Sequence, residues 1–339
     1  MLYIVPKGLS QGIVYSQIYQ PAKGLKKKGV NSVIAIHNDF KDAYNDISEI
    51  DVCYFSKYNE LFPIIKKTSR VYTREYIDFF NIYILTFFQN IKIHYSFRGL
   101  VFTESFYRNK NLLKALIIYI LEFITYILAD ELSCVSKQMK IHLSKYFFFN
   151  RKIEVSYCGI SEVFLKKEFN EKLHFVYIGG ISKWQKIEEA IAVYKYISKN
   201  INRSTQLSIV TPEIKKIHDL LSKTEQKLYS IEILSLKPNE VSDYLRSCDF
   251  GFLLRDKSIV NKLASPVKFL EYTSNGVVPI ISDEIGDYSL DVENKVLGIC
   301  LKNYNKIDHS IIDKLNKLLK DSSLLQRLFS YSNNFLWHK

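Results

Sequence analysis

Lys268 and Glu271 lie three residues apart in SPVKFLEYTSNG, residues 265–276. On a helix that spacing puts both side chains on one face. Pro266 stands at the start, where a missing N–H costs nothing, and Gly276 follows the last turn as a helix-ending glycine does. The start of such a helix carries about half a positive charge and unpaired N–H groups, which suit a phosphate. Lys268 then neutralises phosphate charge, and Glu271 accepts hydrogen bonds from a ribose diol. The same pattern equally describes a buried crossover helix with a surface Lys–Glu pair. Other stretches carry similar chemistry. Gly179-Gly180 is followed by Lys183, Trp184, Gln185 and Lys186. Arg98-Gly99 follows an apolar run, with Glu104 a few residues on. Arg98 can clamp a phosphate or carboxylate through two parallel hydrogen bonds, or pair with Glu104 and only fix the loop. Gly8-Leu9-Ser10-Gln11-Gly12 is a flexible loop, but its spacing is not that of a dinucleotide fingerprint, and a plain tight turn explains it as well.

The elements that must position these residues are short apolar runs alternating with helical segments. Strands are expected at 2–5, 31–37, Asp51–Phe55, Arg70–Thr73, 92–96, 131–135 and 154–157, with helices at 13–20, 76–88 and 111–129. The helix at 13–20 should stop at Pro21. The polar stretch 161–172 reads as an interdomain linker. A second series follows: strands Leu173–Ile178, 206–211, Ile231–Leu234, 250–254 and 277–281, and helices 187–198, 213–223, 238–247 and 311–328. Such alternation predicts parallel sheets with helices on both faces. The expected fold is α/β, two Rossmann-like doubly wound domains facing across a cleft: 1–165, 166–315, and a helix and tail at 316–339 packing back toward the first. Ligands of such sheets bind outside the carboxyl ends of the strands, where the loops 8–12, 98–99, 179–186, 254–268 and 282–288 all fall. The helix at 111–129 is apolar nearly all round, which predicts burial; contact with a membrane interface is the alternative.

The chain has 339 residues and a formal charge of +12. A basic balance admits nucleic acid, an anionic membrane surface or phosphate-bearing ligands. The lysines are scattered, with no basic stripe interleaved with aromatics, which argues against a nucleic-acid partner. The five cysteines form no C-x-x-C pair and point to free thiols in a reducing compartment. The N-terminus lacks the basic and apolar regions of a signal peptide, and no run reaches the roughly 18 apolar residues of a spanning helix. A cytoplasmic protein is expected. His37 and His94 sit near strand ends, where a lone histidine is more often structural than catalytic.

On these residues the chain resembles a GT-B glycosyltransferase of the retaining, family-four kind, most closely over 175–287. The string Leu253-Leu254-Arg255, Asn261, Ala264-Ser265-Pro266, Lys268, Glu271-Tyr272 resembles that of a subgroup acting in bacterial surface-polysaccharide assembly, as does Trp184-Gln185. Leu263 stands where the family's first glutamate would fall, and Ser96 where an acidic residue is usual. The resemblance implies transfer of a sugar from a nucleoside-diphosphate donor to a hydroxyl of a glycan, lipid-linked in capsule or O-antigen-type synthesis. It implies catalytic roles for Lys268, Arg255 and Arg98. Donor contacts would come from Gly179, Gly180, Lys183, Lys186, Ser265, Pro266 and Glu271, and acceptor-side contacts from Gly8, Gly12 and Glu104. It implies no metal and no other cofactor, and it allows peripheral contact with an anionic membrane. The changes at Leu263 and Ser96 also suit a catalytically silent relative that binds sugar or nucleotide within an assembly complex.

Overall fold

A computed structural model describes the chain except for residues 45, 46, 48, 104, 106–110, 284, 338 and 339 and the side chain of Lys183. Glu104, expected on the acceptor side, therefore lies outside the described residues, as does the side chain of Lys183, expected at the donor. Short β-branched and aromatic runs form strands because they are too short for helices, and the central ones are buried on both faces. Among the described residues the first sheet has seven strands: β1 (Leu2–Ile4), β2 (Val33–His37), β3 (Asp51–Phe55), β4 (Arg70–Thr73), β5 (Lys92–Phe97), β6 (Glu131–Cys134) and β7 (Ile153–Val155). Their order is β3-β2-β1-β4-β5-β6-β7, with every pair parallel. The second sheet has six: β8 (Leu173–Ile178), β9 (Thr205–Val210), β10 (Ile231–Leu234), β11 (Phe250–Leu253), β12 (Val278–Ser282) and β13 (Ile299–Leu301). Its order is β10-β9-β8-β11-β12-β13, again all parallel. Both sheets reverse direction of winding beside their first strand, at β1/β4 and β8/β11, and crevices open there.

The chain forms two compact units. The first comprises Met1–Ser161, Leu263–Ser265 and Trp337–Lys339; the second comprises Glu162–Lys262 and Pro266–Leu336. In the first, Ser136 Oγ donates to the Leu263 carbonyl at 2.8 Å, and the Leu263 side chain is buried. The residues 161–172 are not a loose linker. Lys166 is buried in the second unit, where its amine meets the buried Asp249 carboxylate at 2.8 Å and the Cys248 carbonyl at 2.6 Å. The rest of the stretch is mostly exposed, so its polarity reflects solvation together with this one internal ion pair.

Several helices differ from expectation for local reasons. The first continues through Pro21 to Lys27, because a π-helical turn at Tyr15–Tyr19 precedes the ring. The segment 213–223 splits into Ile214–Leu220 and Lys223–Leu228, the second opened by a capping box between Ser222 and Glu225. Helix 238–247 is only Val241–Arg246, so Pro238 does not start it. The terminal helix divides into Ser310–Leu319 and Leu324–Ser332, where Asp321 accepts from the Ser323 N–H at 3.0 Å and from Arg327 at 2.6 Å.

The largest departure is the apolar helix, Leu112–Leu128. It is not buried all round: Leu113 is 71% exposed, and Leu116, Ile117 and Ile120 are also exposed. Its other face buries Ala115, Ile118, Thr125 and Tyr126. Glu122, which interrupts the apolar pattern, is fully buried and accepts from the Val101 and Phe102 N–H groups at 2.9 and 3.1 Å. Among the described residues, no helix is long and apolar enough to cross a membrane. All five cysteines are free.

Candidate active site

The second unit's crevice is built where β8 and β11 part. Tyr272, on the helix Val267–Ser274, fills the space beneath it. Its hydroxyl donates to the Phe252 carbonyl at 3.1 Å and accepts from the Ile178 N–H at 3.2 Å, bridging both strands. Gly251 makes room, since a Cβ there would come within 2.7 Å of the Tyr272 ring. Above lies a narrow crevice lined by Tyr177, Ile178, Gln185, Phe252, Leu253, Leu254, Arg255 and Lys268.

Lys268 stands in the first turn of that helix, with Pro266 as its cap residue. Its amine donates to Gln185 Oε1 at 2.8 Å. Gly179 ends β8 at φ +141°, and a Cβ there would lie 1.9 Å from the Lys268 amine and 2.5 Å from Gln185 Oε1. The glycine loop is therefore required by the lysine's close approach, as well as by its backbone angle. The loop is held from both sides. The Tyr177 hydroxyl donates to the Gly180 carbonyl at 2.7 Å, and Glu213 accepts from the Ile181 N–H at 2.9 Å. Arg255 follows β11, and its backbone is latched to β12 by reciprocal bonds with Ser282 Oγ at 2.9 and 3.0 Å. Asn261 ties the next loop to Asp256 and to Gly286.

The electrostatics are those of a cationic site. Burial, reinforced by the Arg255 charge, lowers the Lys268 pKa to about 7, against the opposing pull of Glu271. Burial also lowers the Arg255 pKa. Among the described residues, no carboxylate lies within ion-pair distance of either. Burial raises the Glu271 pKa, which Lys268 partly offsets. An anion entering the crevice would meet two cations and a helix N-terminus.

Thus the structure brings together Gly179, Gly180, Arg255, Lys268 and Glu271. Lys186 adopts a left-handed conformation and pairs with Glu189 at 3.0 Å, in the first turn of the next helix. Its amine is engaged there and does not line the crevice. Ser265 belongs to the first unit and is buried. Gln185, Tyr177 and Glu213 were not singled out by residue type. Gln185 lay in the quoted Trp184-Gln185 pair; nothing local marks a tyrosine inside an apolar strand.

In the first unit, Gly8 takes φ +78° in the turn after β1, which favours glycine. Gly12 lies in a helix with open space around it, and nothing in its backbone demands glycine. Arg98 follows β5 and donates to the Tyr72 hydroxyl from Nε at 3.3 Å and Nη2 at 3.1 Å. Ser96 is buried and accepts from Ser133 Oγ at 2.9 Å, so a neutral side chain suits its site. His94 bonds Ser133 Oγ at 2.7 Å, and burial lowers its pKa to about 4, which fits a structural histidine.

The fold is that of the GT-B glycosyltransferases. Crystal structures of HepE from Anabaena with UDP and glucose match with a TM-score of 0.69 at 10% identity, covering 99% of this chain and 95% of that one. Sucrose-phosphate synthase from Thermosynechococcus elongatus matches at 0.63 and 13% identity, covering 99% and 95%. WaaG, a glycosyltransferase involved in lipopolysaccharide biosynthesis, matches at 0.63 and 11% identity, covering 98% and 95%. No curated protein sequence matches. The family model for glycosyl transferases group 1 matches residues 161–335, and the chain belongs to that family.

Proposed function

We propose that the protein transfers a sugar from a nucleoside-diphosphate donor to a glycan hydroxyl, with retention at the anomeric carbon, in bacterial surface-polysaccharide synthesis. The reading rests on one observation: Lys268 and Arg255 meet at the β8/β11 crevice, and among the described residues no carboxylate lies within ion-pair distance of either, Glu271 and Asp256 acting only at range. As the glycosidic bond breaks, the leaving diphosphate gains negative charge. Cations already in place stabilise it, each by about 3–4 kcal/mol. Glu271, one turn along the same face, holds the ribose. Similar folds have been crystallised with UDP and glucose and with UDP-glucose, which supports a UDP-sugar as first candidate.

A thermal-shift screen against UDP-, GDP- and dTDP-sugars tests the reading, followed by turnover of whichever raises the melting temperature. Lys268→Ala should cut turnover about 10²–10³-fold. Absence of any nucleotide-dependent shift would overturn it, and tight binding without turnover would identify a silent relative.

The lipid-linked acceptor is supported by an exposed apolar surface. The packed helices Tyr76–Thr86 and Leu112–Leu128 present Ile77, Ile84, Leu113, Leu116, Ile117 and Ile120, next to the exposed Phe87 and Phe88. With a basic chain, that composition suits peripheral docking on an anionic leaflet. Co-sedimentation with anionic vesicles should fall on Ile84→Asp with Ile117→Asp; no sedimentation of the unaltered protein at low salt would rule docking out.

A further inference from the structure

The first unit holds two half-buried arginines at the carboxyl ends of adjacent strands, Arg74 after β4 and Arg98 after β5. Arg74 Nη1 donates to Gln17 Oε1 at 3.0 Å, and its buried Nε has no hydrogen-bond partner. Arg98 is held by neutral groups only: the Tyr72 hydroxyl, the Ser156 carbonyl at 3.5 Å and Cys158 Sγ at 3.8 Å. Among the described residues, no carboxylate lies within ion-pair distance of either guanidinium. Glu75 acts on Arg74 only at range, as Arg74 does on Asp78, whose carboxylate is taken by the Tyr58 hydroxyl at 2.5 Å.

Buried cations are ordinarily paired, because desolvation costs several kcal/mol per ion. Burial lowers the Arg74 pKa, with Tyr72 opposing and Arg98 adding to it, whereas Tyr72 and Cys158 outweigh burial and raise the Arg98 pKa. Tyr72 registers the field between them: burial raises its pKa, yet the Arg98 and Arg74 charges outweigh it and leave the phenol below its ordinary value. The place is the β1/β4 reversal of the sheet, beside the Gly8 turn, where doubly wound sheets bind ligands.

We propose that Arg74, Arg98 and the Tyr72 hydroxyl form an oxyanion site on the first unit, which receives a phosphate or carboxylate group of the acceptor. The site itself is independent of the donor crevice; its assignment to the acceptor rests on the glycosyltransferase reading. Planar guanidinium forks suit such groups.

Calorimetric titration tests it on the full chain carrying Lys268→Met and Arg255→Gln, so that the second unit's cations do not contribute. Inorganic phosphate or glucuronate should bind; the tighter of the two identifies phosphate or carboxylate as the group taken. Arg98→Gln or Arg74→Gln should weaken that binding at least tenfold, and Arg74→Lys should weaken it less. Removing Arg74, whose charge burial disfavours, should leave the ligand-free melting temperature equal or higher and abolish the rise caused by the anion. Unchanged affinity in both glutamine variants, or no binding of either anion, would overturn the proposal. So would a lowered melting temperature with the anion-dependent rise intact. Nucleotide-sugar binding by the unaltered protein is measured separately: its absence sinks the donor reading and leaves the phosphate titration standing.

Discussion

Raising the pH from 6 to 8 should weaken nucleotide-sugar binding about tenfold and make binding draw a proton from solution. With its pKa near 7 in the free protein, Lys268 is about nine-tenths neutral at pH 8 and about one-tenth neutral at pH 6. Only the ammonium form complements a diphosphate, and a bound diphosphate restores its ordinary pKa near 10.4. Binding should therefore take up about 0.9 proton at pH 8 and about 0.1 at pH 6, with about 1.4 kcal/mol lost between them. Calorimetry of UDP-glucose in buffers of different ionisation heat measures both quantities. The sugar nucleotide is preferable to UDP, whose terminal phosphate itself titrates near pH 6. The sign for folding follows from the same depressed value. Between about pH 7 and 10.4 the unfolded chain holds a proton that the folded chain does not, so stability from this group rises with pH across that window. Below pH 7 its penalty is fully present. The stability gained on Lys268→Met should accordingly be larger at pH 6 than at pH 9 in urea unfolding. Proton uptake near zero at pH 8, or uptake that persists in Lys268→Met, would refute the reasoning.

Gly179→Ala should displace the Lys268 amine from its position 1.9 Å from the new Cβ. It also places alanine at φ +141°, at a cost of about 1–3 kcal/mol. Both melting temperature and nucleotide-sugar affinity should drop; native values for both would show that the loop yields freely. Lys166→Met should destabilise by about 3–5 kcal/mol in urea, because it strands the fully buried Asp249 carboxylate without its cation. A change within about 0.5 kcal/mol would mean that the three N–H and amide contacts from Asn170 and His174 to the Asp249 carboxylate suffice.

Much of the architecture was legible because strands and crossover helices carry different periods. Asp51–Phe55, Arg70–Thr73, Leu173–Ile178 and Ile231–Leu234 stand where apolar runs placed them. The last strand, Ile299–Leu301, was not among the expected ones. The helix Leu112–Leu128 was misjudged because composition states how apolar a face is and says nothing of whether a neighbour covers it. The helix ends at Leu220 and Leu319 depend on side-chain caps, Ser222 with Glu225 and Asp321 with Arg327. In the site, the glycines and the Lys268–Glu271 pair were visible from spacing. Gln185, Glu213 and Arg74 were not, since each acts through a partner distant in sequence.

The sequence by itself determined the alternation of strands and helices, and with it the parallel sheets and the loops on which chemistry would fall. It also determined that Lys268 and Glu271 share a helix face, because helical spacing is a local property. Only the tertiary structure decided which cations stand without a counter-ion. Lys166 and Lys186 are as basic as Lys268 in sequence, yet the first is neutralised by Asp249 and the second by Glu189. Lys268 and Arg255 are instead desolvated together, and a charge's partner and its exposure to water are set by residues that meet only when the chain folds.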